Sequence, residues 1–235
     1  MSAPEKPVLR VIDLKATTVR DLNQALHDLP ERGAKTAWRV ANVAGEHAVA
    51  VGVNAPCAIE IEGHVGYYCA GMNKYAEIMI KGNASTGLAE NMMSGTVHLR
   101  GNASQSAGAT GRGGLLIIDG DAAARCGISL KGLDIVVKGN VGHMSAFMAQ
   151  RGRLVVCGDA GPALGDSIYE AQLFVQGRIT DLGADCIEKE MRAEHLEALG
   201  ALLARAEINV SAGRFRRYGS ARKLYHFNID HADAY

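Results

Sequence analysis

Residues 59–70 read IEIEGHVGYYCA, residues 78–89 IMIKGNASTGLA and residues 135–146 IVVKGNVGHMSA, three copies of one unit. The anchor is a glycine. Gly63, Gly82, Gly101, Gly120, Gly139, Gly158 and Gly177 follow one another at steps of 19 residues (82 − 63 = 19, and so on). A fixed period near twenty is the signature of a solenoid, in which each unit buries its apolar face only against its neighbours.

The columns of the repeat carry the physics. Four and two residues before the anchors stand Ile59/Ile61, Ile78/Ile80, Val97/Leu99, Leu116/Ile118, Ile135/Val137, Leu154/Val156 and Leu173/Val175, all aliphatic. Period two inside each unit predicts a short strand with one buried face. One residue before the anchors the side chains are Glu62, Lys81, Arg100, Asp119, Lys138, Cys157 and Gln176, a column that faces out. Asn83, Asn102, Asp121, Asn140 and Asp159 follow five of the anchors. Gly before Asn or Asp is turn chemistry, giving positive φ and local side-chain hydrogen bonds. Seven residues past the anchors stand only Ala or Gly (Ala70, Ala89, Gly108, Gly127, Ala146, Gly165, Ala184), which predicts a bend into a cramped interior. A left-handed hexapeptide helix would need a sub-period of six, and the aliphatic pair recurs only once per unit. The expected fold is all-β: a single-stranded right-handed parallel β-helix of about seven 19-residue coils, with capping helices at both ends and an extended C-terminal tail.

The ends are organised differently. Residues 1–35 predict an extension with a short strand at Val11–Leu14 and a helix. Thr18 and Asp21 form a capping box, Val19, Leu22, Leu26 and Leu29 share one face, and Pro30 and Gly33 stop it. So short a helix must dock, either over the open first coil or on a partner. Residues 36–187 hold the coils, begun by one or two strands within Trp38–Val53, a stretch that contains the alternation His47–Val51. Residues 188–235 give a second helix, from Glu188 to Ala206, expected to seal the last coil, and then a tail. Arg and aromatic residues crowd that tail (Phe215, Arg217, Tyr218, Tyr225), as they do at subunit interfaces.

The 235 residues carry 25 Lys and Arg against 25 Asp and Glu, a balance that argues against nucleic acid or an anionic membrane as the main partner. No signal-peptide core or apolar run of membrane length is visible, so the expected location is the cytoplasm. Cys57, Cys69, Cys126, Cys157 and Cys186 form no CxxC pair and read as small buried residues. His64 and His143 lie in corners without metal-ligand spacing. GRGG from Gly111 and GDAGPALG from Gly158 look like phosphate loops but open no helix. No catalytic, cofactor-binding or metal residue is expected on this chain. One column invites contact: Ile117, Val136, Val155 and Phe174 are apolar where alternation points them outward, so either this chain or another must cover them.

The repeated corners GHVGYYCA, GNVGHMSA and GDAGPALG resemble the glycine-rich (GXGXG) β-helix domain at the C-terminus of the large subunit of glutamate synthase. The same domain recurs in one subunit of formylmethanofuran dehydrogenase and of the related formyltransferase/hydrolase complex. The opening VIDLKATTVRDLNQALHDL and the closing GADCIEKEMRAEHLEALGALL and FRRYGSARKLYHFNIDHADAY are similar to the small β-helix subunit of N-methylglutamate synthase. The resemblance implies a non-catalytic spacer in a complex that joins methylamine to glutamate. Its partners would be a class II glutamine-amidotransferase-like subunit and a glutamate-synthase-like subunit carrying FMN and iron–sulfur clusters, with a channel for amine or ammonia shaped between them. A formyl-transfer complex and a self-assembling structural β-helix are the alternatives. The stripe Ile117, Val136, Val155 and Phe174 and the tail residues Phe215, Arg217, Tyr218 and Tyr225 are the expected interface.

Overall fold

The computed structural model describes residues 9–31 and 36–224. It is a parallel β-helix. Among the described residues eleven strands form one sheet, in the order β1 (Leu9–Asp13), β2 (Ala37–Ala44), β3 (Ala58–His64), β4 (Glu77–Lys81), β5 (Thr96–Leu99), β6 (Leu115–Ile118), β7 (Lys131–Val137), β8 (Arg151–Val156), β9 (Gln172–Val175), β11 (Arg216–Ser220) and β10 (Cys186–Lys189). Strands β1 (Leu9–Asp13) to β9 (Gln172–Val175) run parallel, each one coil on from the last. In register, Ile59 pairs with Ile78, Ile78 with Val97 and Val97 with Leu116, so each aliphatic residue stacks on its own kind. All fourteen aliphatic positions before the anchors are at most 2% exposed. A second parallel ladder, of single bridges, joins Val65, Ala84, Ala103, Ala122, Val141, Ala160 and Ile179 along another side of the rod.

The corners depart from expectation in an instructive way. Of the seven anchors only Gly63 has positive φ. The others are glycine because the coils touch there: a Cβ on Gly82 would sit 2.2 Å from the Gly63 carbonyl oxygen, and one on Gly101 2.4 Å from that of Gly82. The left-handed bend lies seven residues later, at Ala70 (φ 55°), Ala89 (53°), Gly108 (67°) and onward to Gly165 (67°). Over those coils the column is small because its residues turn in a buried interior. The Asn/Asp bonds are also not local. The Asn102 N–H donates to Asn83 Oδ1, that of Asp121 to Asn102 Oδ1, that of Asn140 to Asp121 Oδ1 and that of Asp159 to Asn140 Oδ1, at 2.7–2.8 Å. His64 Nδ1 heads this ladder, accepting the Asn83 N–H at 2.9 Å.

An extra coil precedes the regular repeat. Strand β2 (Ala37–Ala44) pairs Ala37 with Ala58, a step of 21 (58 − 37), whereas Ala58 to Glu77 is 19 (77 − 58). A bulge between Val40 and Val43, with Asn42 at φ 61°, takes up part of the difference. Of the stretch Trp38–Val53, the first part is the expected strand, β2, and the alternation at His47–Val51 is not one. It is a run of turns with Ala48 and Ala50 in the left-handed region.

Both ends are closed by the chain itself. Helix α1 (Val19–His27) has the Thr18/Asp21 capping box and buries Leu22 and Leu26 completely in the interior core of the first coils. Asn23 Nδ2 donates to the Ala48 carbonyl and the His27 ring lies 2.8 Å from that of Val51, fixing the helix over the open coil. The expected stop at Gly33 lies outside the described residues. At the other end, helix α2 (Ala193–Arg205) is shorter than expected, because Cys186–Lys189 forms strand β10. β10 pairs antiparallel with β11 (Arg216–Ser220), and β11 pairs antiparallel with β9. Tyr218 and Cys186 join the interior core there. The last coil is thus sealed by strands, and α2 is free to lie elsewhere.

Candidate functional site

Helix α2 lies on the outer face of the sheet. Leu199, Leu202, Leu203 and Ala206 pack with Leu115 and Ile117 of β6 (Leu115–Ile118), Val136 of β7 (Lys131–Val137), Val155 of β8 (Arg151–Val156) and Phe174 of β9, and Phe215 joins them. These side chains are at most 4% exposed. The apolar stripe Ile117, Val136, Val155 and Phe174 is covered by its own chain, one of the two covers that the sequence allows, and Phe215 is buried with it. A helix with a continuous apolar face and a sheet with a matching stripe find each other intramolecularly, at no cost in association entropy.

The tail residues are likewise spent within the chain. Tyr218 faces the interior at 2% exposure, and the Arg216 guanidinium lies over its ring. Arg217 is half-buried, and its Nε donates to the Glu190 carbonyl at 2.9 Å, tying β11 to the segment before α2. Tyr225 lies outside the described residues.

Among the described residues nothing covers the other half of the same face. Where α2 ends, a groove of about 500 Å³ begins, walled by Arg205 and Glu207 and running over β2 to β5 (Thr96–Leu99). Two outward rows line it, one through Ala37, Ala58, Glu77 and Thr96 and one through Arg39, Glu60, Met79 and His98. Leu9 stands at its far end, 52% exposed, and the charged Arg39, Glu60 and Glu77 stand in the same two rows, Glu77 between Ala58 and Thr96 and Glu60 between Arg39 and Met79. Sequence reasoning missed this groove. The signal is the column three residues before the anchors, where apolar Ile117, Val136, Val155 and Phe174 give way to His98, Met79 and Glu60 towards the N-terminus.

Two charge clusters lie on this face, one of Arg39, Glu60, Glu62 and Lys81 and one around Asp119. Asp119 accepts from His98 Nε2 at 2.9 Å and Arg100 at 3.1 Å, and Lys138 Nζ is 2.7 Å away. Burial alone would raise the Asp119 pKa. The hydrogen bonds from Lys138, His98 and Arg100 outweigh it and hold the carboxyl down at about 2. A carboxylate so neutralised pins three coils together and is a poor general base.

No family model matches the chain. Protein GlxC of Rhizobium meliloti (strain 1021) is 61% identical over 226 residues, covering 96% of this chain and 99% of that protein. The chain belongs to the GlxC family. Coverage of that extent means that GlxC shares the terminal elements as well as the coils.

In this GlxC-family chain the remaining motif residues have structural employment. Among the described residues no group of three or more His, Cys, Asp or Glu could hold a metal ion. All five cysteines are free, and burial pushes the thiols of Cys57 and Cys157 up to about 11 and those of Cys69, Cys126 and Cys186 to about 12, so none is a ready nucleophile. Gly111 of the GRGG run is glycine because a Cβ would meet Leu133 at 2.5 Å. Gly158 and Gly165 of GDAGPALG serve the coil contact and the left-handed bend. Among the described residues no helix is long and apolar enough to cross a membrane.

Proposed function

We propose that this chain is the non-catalytic β-helix subunit of an N-methylglutamate synthase-type complex. Here it holds a class II glutamine-amidotransferase-like subunit beside a subunit that carries FMN and iron–sulfur clusters. The enzyme would make N-methylglutamate and ammonia from glutamate and methylamine, with the chemistry on the partner chains and the rod setting their separation. One observation carries this reading: corner glycines, the Asn/Asp ladder and His64 are all used to hold the coils, while among the described residues one half of a sheet face stays uncovered. A molecule of this kind is a rigid spacer with a free surface. The likeness of its two ends to the N-methylglutamate synthase small subunit supplies the choice of complex. Closure by α1 at one end and by β11 at the other speaks against end-to-end polymerisation.

The test is gentle affinity purification of the tagged chain from its native cell, with an absorption spectrum and an assay of the eluate. A yellow-brown complex with flavin and iron–sulfur bands that forms N-methylglutamate supports the reading. A colourless, zinc-containing complex would replace it with a formyl-transfer one, and a lone chain would overturn it.

A further inference from the structure

We infer that Arg10 and Glu188 close the two ends of the rod to strand addition, so that the chain stays a discrete unit; the inference stands apart from the subunit reading above. The sheet begins at β1 and ends at β10, and among the described residues each of these strands has a neighbour on one side only. A free strand edge offers backbone N–H and C=O groups on which a further chain can pair. Both edges also carry apolar side chains: Leu9 and Val11 are 52% and 58% exposed, and Ile187 is 42% exposed. Direction adds to the hazard. β10 runs antiparallel to β11, and β11 antiparallel to β9, so β10 points along the coils and the β1 of a second copy could continue the parallel sheet.

One inward row answers it. From Ile59 to Leu173 this row is aliphatic in every coil. Beyond both ends it changes in the same order, first to an aromatic and then to a charge. Ile59 is followed by Trp38 and Arg10, and Leu173 by Tyr218 and Glu188. The two aromatics are each 2% exposed and finish the core. Arg10 and Glu188 are exposed, but each is held in place over its aromatic. The Arg10 guanidinium lies 5.2 Å from the centre of the Trp38 ring. Tyr218 Oη donates to Glu188 at 3.5 Å, and Arg216 Nη1 is 3.8 Å from the same carboxylate. A strand laid on either edge would strip water from that charge, at the point where every internal step stacks apolar on apolar. A head-to-tail contact would set Glu188 against Arg10, but a buried ion pair returns little beyond the cost of drying its two charges. It supplies none of the gain that aliphatic stacking gives inside the rod.

The test follows the purified full chain by light scattering and sedimentation equilibrium over a range of concentrations, with circular dichroism to show that each variant is folded. The double variant Arg10→Val, Glu188→Val carries the aliphatic row out to both edges and should raise the association constant about tenfold or more. The two single variants, mixed, should pair one to one, because each has one edge freed of its charge. Arg10→Lys with Glu188→Asp keeps both charges and should stay as discrete as the wild type. Arg112→Val, which removes an exposed charge far from both ends, is the control. A double variant and a mixture no more associated than the wild type overturn the inference. So does a wild-type chain in long assemblies that the double variant dissolves, since the two charges would then join copies instead of keeping them apart. Neither result bears on the subunit reading.

Discussion

The backbone N–H of Asp121 donates to Oδ1 of Asn102 at 2.8 Å across 19 residues of sequence. Each rung of this ladder ties one coil to the next at a corner where the strands have already ended. Asn102→Ala should therefore loosen the stack at one joint and cost about 1 kcal/mol, the net value of a hydrogen bond whose donor can still reach water. Asn102→Asp, which keeps an acceptor, should be close to wild type in urea denaturation, as Asp121 and Asp159 already serve in the same column.

The anchor glycines make a sharper prediction. Gly101 has ordinary φ, yet an added methyl would lie 2.4 Å from the Gly82 carbonyl and 2.5 Å from Asn83 Oδ1. Backbone cannot move aside cheaply, so Gly101→Ala should cost about 3 kcal/mol, the upper range for overpacking. Gly200, inside α2, meets nothing within 4 Å. There the same substitution should stabilise by about 0.5–1 kcal/mol through helix propensity. Thermal melting of the two variants would be expected to move in opposite directions.

How much of this is legible in sequence follows from which contacts are local. The coils, their inward aliphatic pairs and the α1 capping box are all readable, because each depends on neighbours or on a strict period. The anchor glycines read as turn residues when they are contact residues, since close approach between coils leaves the same mark in sequence as positive φ. The α2 boundary misleads at Glu188–Met191 because an acidic, helix-favouring run is claimed by β11, thirty residues on (Glu188 pairs with Tyr218). The groove is hidden because it is defined by what α2 leaves uncovered, and a helix register on a sheet face is a tertiary fact.

The cover over the stripe can be tested on the chain alone. Leu202 is 2% exposed among Val136, Val155 and Phe174, so Leu202→Ala should cost about 2–4 kcal/mol. Leu203→Asp should release α2 altogether and raise binding of a dye that reports exposed apolar surface. Were these residues reserved for a partner, both variants would leave the isolated chain's stability unchanged.

Asp119 gives the pH dependence. Its folded pKa is about 2 against an ordinary 3.8, a depression held by Lys138, His98 and Arg100 against the opposing effect of burial. A depressed carboxyl contributes stability that is fully present well above pH 3.8 and is lost as pH falls towards 2. The shift corresponds to roughly 2 kcal/mol. Solvent screening of a side chain still 21% exposed lowers the expected contribution to about 1 kcal/mol. Asp119→Asn should thus be less stable than wild type by about that amount at pH 7, and the gap should narrow from about pH 4 and close near pH 2 as the wild-type carboxyl takes up its proton. Urea midpoints measured from about pH 7 to about pH 2 for the two proteins would check this. A gap that stayed constant with pH would mean that Asp119 acts by its shape and hydrogen bonds, and that its charge adds nothing to the joint between Arg100 and Lys138.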